Sequence, residues 1–210
     1  MRRLNSKERI IGRSGGESTF LCGLDEAGRG PLAGPVSAAA VILPEDFPVW
    51  ILDDSKKLSS VVREQLKETI CSRAIAWGIG WVSAADIDEI NIHNASLLAM
   101  KRAFDEMAFA ESGANPPFPG NLRAVADGLF IPEIGIPCTP MVKADSIVPA
   151  VMAASILAKT ARDRLMEYYD LFFPGYGYAK HKGYPTRAHR EAILRHGPSP
   201  IQRMSFRVKR

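Results

Sequence analysis

Apolar positions along this chain recur with two different periods. "TFLCGL" (19–24) and "GPVSAAAVIL" (34–43) are short apolar runs bounded by glycine and proline, and together they predict a hairpin over 19–43. "AWGIGWVS" (76–83) alternates large and small residues and predicts a third strand. "LRAVADG" (122–128) and "IPCTPMVKAD" (136–145) predict two more, one ending in Asp127 and the other in Asp145. Elsewhere the period lengthens to that of a helix. Val62, Leu66, Thr69 and Ile70 share one side of "SSVVREQLKETICSRAI" behind a Ser59 or Ser60 cap. Ser83 caps a short helical piece, "AADIDEIN", and a second helix follows with Leu97, Met100, Phe104 and Met107 on one side. The longest helical stretch, 149–170, has Pro149 in its first turn and small Ala150, Ala153, Ala154, Ser155 and Ala158 for close approach to a sheet. Thr186 caps "TRAHREAILRH", "FFPGYGYAKHKGYPT" (172–186) reads as a loop, and the tail from Gly197 as irregular.

The resulting order, β-β-α-β-α-β-β-α, predicts an α/β fold in which a mixed sheet carries packed helices, and it excludes a strictly alternating βαβ chain. A length of 210 residues and 46% hydrophobic content suit one compact domain. Residues 1–18 are polar and basic without periodicity, which predicts a flexible arm. No apolar run approaches the roughly 18–20 residues of a membrane span, and the first residues have no signal-peptide pattern, so a cytoplasmic protein is expected. Cys22, Cys71 and Cys138 form no CxxC pair and predict buried thiols.

Net charge of +4 names no partner, but its distribution does. From Lys180 onward come Lys182, Arg187, Arg190, Arg195, Arg203, Arg207, Lys209 and Arg210 against Glu191 alone, with Tyr184 and Phe206 interleaved. That combination points to nucleic acid.

The chemistry concentrates in "GLDEAGRGPLAGPV" (23–36). Asp25 and Glu26 close an apolar run, as Asp127 and Asp145 close theirs, and such a strand end is a costly place for an unpaired charge. All four acids supply oxygen ligands. They would suffice for two hard divalent ions such as Mg²⁺ about 3.5–4 Å apart, the arrangement that supports in-line attack on a phosphodiester. Neighbours on a strand point to opposite sides, so Asp25 and Glu26 can share a metal only if the backbone turns, and "AGRG" is read as supplying that turn. Gly28, Gly30 and Gly34 do not make a GxGxxG fingerprint, and no phosphate loop or GxSxG motif occurs. What remains is a glycine-lined backbone able to approach a sugar-phosphate chain, with Arg29 near phosphate. Asp53 and Asp54 are expected to pair locally with Lys56 and Lys57, leaving these lysines free to touch phosphates. Asp163 is expected to pair with the flanking Arg162 and Arg164. His181, His189 and His196 have no partners at zinc-ligand spacing and default to the surface or to phosphate contact.

The segments "GLDEAGRGPLAGPV", "DDSKKLS", "INIHNASLLAM", "ADG", "KADSIVPAVMAASILAKTARDR", "YGYAKHKGY" and "HGPSPIQRMSF" resemble the ribonuclease HII family, in family order, from about residue 20 to 206. The resemblance implies a ribonuclease H-like mixed five-stranded sheet flanked by helices in residues 19–173, with a small basic C-terminal helical module (174–210) that closes over the nucleic acid. It implies metal-dependent endonucleolytic cleavage of RNA–DNA hybrids and 5′ of ribonucleotides embedded in duplex DNA, leaving 3′-hydroxyl and 5′-phosphate ends, by a monomer. The family's metal-binding acids fall on Asp25, Glu26, Asp127 and Asp145, for two Mg²⁺ or Mn²⁺ ions. Its ribose-sensing backbone falls on Gly28, Arg29 and Gly30, and its junction-reading tyrosine on Tyr184. Lys56, Lys57 and Lys182 are then expected to grip phosphates. Two departures, Ala126 before Asp127 and "KAD" where the family often has "KGD", bear on local packing. A nuclease of the same fold without a ribose requirement, and a non-catalytic nucleic-acid binder, are the competing readings.

Overall fold

The computed structural model describes residues 20–208 apart from 54, 56, 57 and 112–120. The expected arm at 1–18, together with Lys56 and Lys57, lies outside the described residues. Five strands form one sheet: β1 (Phe20–Ala27), β2 (Val36–Ile42), β3 (Ala76–Val82), β4 (Leu122–Asp127) and β5 (Cys138–Met141), in the order β3-β2-β1-β4-β5. The predicted hairpin is present, with β1 antiparallel to β2 and β2 antiparallel to β3, while β4 lies parallel to both β1 and β5. The sheet is therefore mixed, as the sequence pattern predicts.

Every residue of β2 is buried, because helices cover both faces of its alanine-rich run. On one face Val36, Ala38, Ala40 and Ile42 meet α2 (Ala84–Glu111) through Ala99, Met100 and Ala103. On the other, Ala39 and Val41 join Leu66 and Ile70 of α1 (Ser60–Arg73) and Ala154, Leu157 and Ala158 of α3 (Pro149–Phe172). Fully burying a side chain such as Ile70 or Leu157 contributes about 1.5–3 kcal/mol relative to leaving it exposed. β1 approaches the first turn of α3 so closely that a Cβ on Gly23 would stand 2.1 Å from the Ala150 carbonyl carbon, so only glycine fits there.

Local chemistry sets the ends of the elements. Ser59 caps α1 by accepting from the Val62 N–H, and Thr186 caps α5 (Arg187–His196) by accepting from His189. The two helical pieces expected after Ser83 meet in α2 at Asn91, which interrupts the helix with φ 65° and ψ 163°. Its side chain accepts from the N–H groups of His93 and Asn94, so Asn91 ends one piece and caps the next.

Two expectations need correction. "IPCTPMVKAD" is strand only over Cys138–Met141; Pro140 is tolerated because β5 is an edge, and Lys143 at φ 61° breaks the extension, placing Asp145 in a 3-10 turn (Ala144–Ser146) instead of at a strand end. The stretch 172–186 is not all loop: it includes the short helix α4 (Tyr178–His181).

Candidate active site

Parallel strands bring their carboxyl ends to one edge of a sheet, and this is where the acids gather. The β1–β4 register pairs Leu24 with Ala126, so Asp25 and Asp127 leave adjacent strands at the same level. β1 does not stop at Asp25, however; it stays paired with β2 through Glu26 and Ala27. The turn expected to swing both carboxylates to one side is therefore absent over these two residues, and the Asp25 carboxylate instead accepts from the Glu26 N–H at 2.8 Å.

Asp25, 4% exposed, faces α3. Burial chiefly, then the Glu26 charge, holds its carboxyl well above the ordinary carboxylate range, and Asp127 pushes the same way; hydrogen bonds from Ser155 and the Glu26 N–H oppose this. The Ser155 hydroxyl lies 2.9 Å from that of buried Ser55, so a two-hydroxyl chain runs from Ser55 to Asp25. Neither serine carries a sequence signal beyond its small size.

Burial also raises Glu26. The Arg29 guanidinium, 3.1 Å from Glu26 Oε1, works against that, and Asp127 adds to it. Asp127 thus acts electrostatically on both carboxylates of β1. Its Oδ1 accepts from the Ala144 N–H at 2.7 Å, which ties the end of β4 to the 3-10 turn bearing buried Asp145. Glu26 Oε2 is buried and has no hydrogen-bond donor among the described residues. Among those residues no group of three or more His, Cys, Asp or Glu is arranged so that it could hold a metal ion by itself.

The glycine loop lies beside the acids. Gly28 has φ 102°, and a Cβ there would stand 2.1 Å from Arg162 Nε, so glycine is required by both conformation and packing. Gly30 is different. A Cβ there would meet only Tyr184 Cε1, at 3.7 Å, so the fold leaves the space in front of Gly30 open and Tyr184 borders it. Tyr184 is 40% exposed, and Lys159 Nζ stands 5.7 Å from its ring centroid.

Several charges sit otherwise than their sequence neighbours suggest. Asp163 pairs with Arg63 (3.0 Å) and Lys159 (2.6 Å), not with Arg162 or Arg164. Arg164 turns to Glu64, and Arg162, 1% exposed, donates to the carbonyls of Pro35, Ala33 and Lys182. The Lys182 ammonium is engaged by Glu167 (2.7 Å) and the Ala179 carbonyl, within the protein rather than out at a phosphate. Arg203, assigned by its sequence setting to a basic phosphate-gripping tail, is fully buried. His181 and His189 stack on each other at 4.4 Å instead of facing solvent.

The ribonuclease HII family profile matches residues 22–209. The chain is 52% identical over 199 residues to a ribonuclease HII of Treponema denticola, covering 90% of this chain and 99% of that protein. It is 49% identical over 187 residues to one of Moorella thermoacetica, covering 89% and 86%. Among solved structures, that of the PCNA:RNase HII complex from Archaeoglobus fulgidus matches with a TM-score of 0.71 at 27% identity, over 91% of this chain and 96% of that one. Bst RNase HIII in complex with Mn²⁺ matches with a TM-score of 0.70 at 18% identity, over 96% and 70%, which speaks to the fold alone.

Proposed function

The chain belongs to the ribonuclease HII family and is an endoribonuclease of the ribonuclease H type, and from that premise we propose that it cuts RNA–DNA hybrids and duplex DNA on the 5′ side of an embedded ribonucleotide, leaving 3′-hydroxyl and 5′-phosphate ends. Its work would be removal of misincorporated ribonucleotides and RNA primers in the cytoplasm; no helix among the described residues is long and apolar enough to cross a membrane. The observation that carries this reading is the gathering, at one sheet edge, of the mutually repelling carboxylates Asp25, Glu26 and Asp127 beside a glycine loop whose open side at Gly30 is bordered by Tyr184.

Asp25, Glu26, Asp127 and Asp145 would hold two divalent ions, Mg²⁺ or Mn²⁺. The donor set fits: all are oxygens, and buried Glu26 Oε2 lacks a donor where a hard cation could take it. When bound, such ions supply an activated water and stabilise the leaving 3′-oxygen. The residues do the rest. The Ser55–Ser155 chain orients Asp25, the Ala144 N–H orients Asp127, and Arg29 steadies Glu26.

Ribose selectivity falls to the Gly28–Arg29–Gly30 backbone, because the 2′-hydroxyl is what separates a ribonucleotide from a deoxyribonucleotide at the cut. Tyr184, beside Gly30, would stack on the following sugar and exclude a hydroxyl there. Residues 19–173 are read as the catalytic body of a monomer and 174–210 as the module that closes over the duplex, with phosphate contacts from its exposed basic side chains and from Lys56 and Lys57.

The test compares a DNA duplex carrying one ribonucleotide with the all-DNA duplex, in Mg²⁺, in Mn²⁺ and in chelator. A metal-dependent cut 5′ of the ribonucleotide, absent from the control, is expected. Asp127→Asn should lower the rate at least ~10²-fold, by analogy with losing one preorganised electrostatic group. Equal cutting of both duplexes would remove the ribose role, and unchanged turnover in Asp127→Asn would remove the site assignment.

A further inference from the structure

The chain's last described segment reaches back to the glycine loop through one side chain. Arg203 donates from Nη2 to the Gly28 carbonyl (2.7 Å), from Nη1 to the Arg29 carbonyl (3.1 Å) and from Nε to the Gly34 carbonyl (2.8 Å). Its backbone is fixed by the same loop: the Arg203 N–H donates to the Leu32 carbonyl, the Gly34 N–H to the Ile201 carbonyl, and Gln202 bridges Ala33. Asp88 at the start of α2 holds the following residues, accepting from the N–H groups of Met204 (2.8 Å) and Ser205 (2.9 Å). Arg162 of α3 grips the other limb of the loop at Ala33 and Pro35, and also the Lys182 carbonyl, two residues before Tyr184.

A charged group that is fully buried and bonded to main-chain carbonyls is costly to install, and a phosphate on the surface has no access to it. Its effect must pass through the peptides it holds. In a planar trans peptide the C=O and the following N–H point in opposite directions. Drawing the Gly28 and Arg29 carbonyls onto one guanidinium therefore turns the N–H groups of Arg29 and Gly30 the other way, out of the protein interior. Because the guanidinium is a rigid planar fork, it fixes these two peptide planes relative to each other, which a lysine ammonium on a flexible stem does not.

We propose that Arg203 is a positioning residue for ribose recognition: it aims the Arg29 and Gly30 N–H groups at the 2′-hydroxyl, while Arg162 sets the neighbouring Tyr184 against the same loop. The inference rests on reading Gly28–Gly30 as the ribose sensor. It also explains why a basic residue of the tail is buried under the glycine loop.

The experiment measures binding of the full chain, in chelator so that nothing is cut, to the one-ribonucleotide duplex and to the all-DNA duplex. The ratio of the two affinities is the readout. Arg203→Lys keeps the charge and loses the fork; it should bind all-DNA duplex as the unaltered protein does while its preference for the ribonucleotide falls about tenfold, the worth of one well-made hydrogen bond. In divalent metal its single-turnover rate should fall about 10²-fold from misplacement at the cut. Retention of the preference, whether at full affinity or with both affinities lowered alike, would reduce Arg203 to a structural role and overturn the proposal. Should Arg203→Lys fail to fold, Asp88→Asn loosens the same tail from outside, and an undiminished preference there overturns it equally. An unaltered protein with no ribonucleotide preference would instead remove the ribose sensor itself, which separates failure of the premise from failure of the arginine.

Discussion

Asp25 shows at the scale of one residue how a carboxyl proposed to hold a metal ion can weigh against stability. Its carboxyl is held well above the ordinary range by burial and by Glu26, so the folded state prefers it protonated. That contribution is present at low pH and is lost as pH rises from the unfolded value, about 4, through the raised folded one. Asn carries no charge at any pH. In chelator, Asp25→Asn should therefore raise Tm by roughly 2–4 °C at pH 8, equivalent to about 1 kcal/mol for a chain of this size, with a smaller gain at pH 4. A Tm that stays level or drops would mean that the Ser155 and backbone hydrogen bonds already offset the burial. That Asp25 and Asp127 lie at the ends of apolar strands was legible in the sequence, because each closes an apolar run, whereas the turn that carries Asp145 was not. Arg162 and Arg203 were not, because their acceptors are main-chain carbonyls, which leave no mark in a sequence, and a basic residue in a basic tail reads as solvated. Asp163 misled for a related reason: adjacent residues on a helix point apart, and its partners Arg63 and Lys159 come from another helix and from one turn away.

Among the elements, α2 carries a conflict inside it. Asn91 occupies a backbone region that is nearly glycine's alone, yet its side chain caps the second half of the helix. Asn91→Gly relieves the strain and loses the cap, so it should be close to neutral. Asn91→Ala keeps the strain and loses the cap, and should cost about 1–2 kcal/mol in denaturant unfolding. Equal destabilisation by the two would show that the backbone there carries no strain. The break itself could be read from Ser83 and the renewed apolar period after Asn94, as could the hairpin, from its two runs. The end of β5 could not. "MVKA" looks like the continuation of a strand, and only the αL conformation at Lys143 converts it to a turn.

For the molecule as a whole, the C-terminal segment is anchored by a titratable seam. His181 and His189 stack at 4.4 Å, with Tyr178 edge-on to both, and burial lowers the pKa of each. The unfolded chain then takes up protons before the folded one does. Stability is full above the ordinary histidine value of about 6.5 and is lost as pH falls below it toward the depressed folded values. Tm should decline between pH 7 and 5, and His189→Phe should flatten that slope; parallel slopes would place the titration elsewhere. The mixed sheet and its covering helices followed from the order of patterned segments, whereas this seam joins residues that sequence alone assigned to a loop and a surface. The clamp on the glycine loop has a further consequence for how the chain is made. Arg203 lies 174 and 175 residues beyond the carbonyls of Arg29 and Gly28 that it holds. At translation rates of roughly 5–20 residues per second, the loop emerges some 9–35 s before the side chain that fixes it. The strands bearing Asp25 and Asp127 can pair during that interval. Until Arg203 follows, the Gly28 and Arg29 carbonyls lack the guanidinium that fixes them, on a sheet edge that can already have formed.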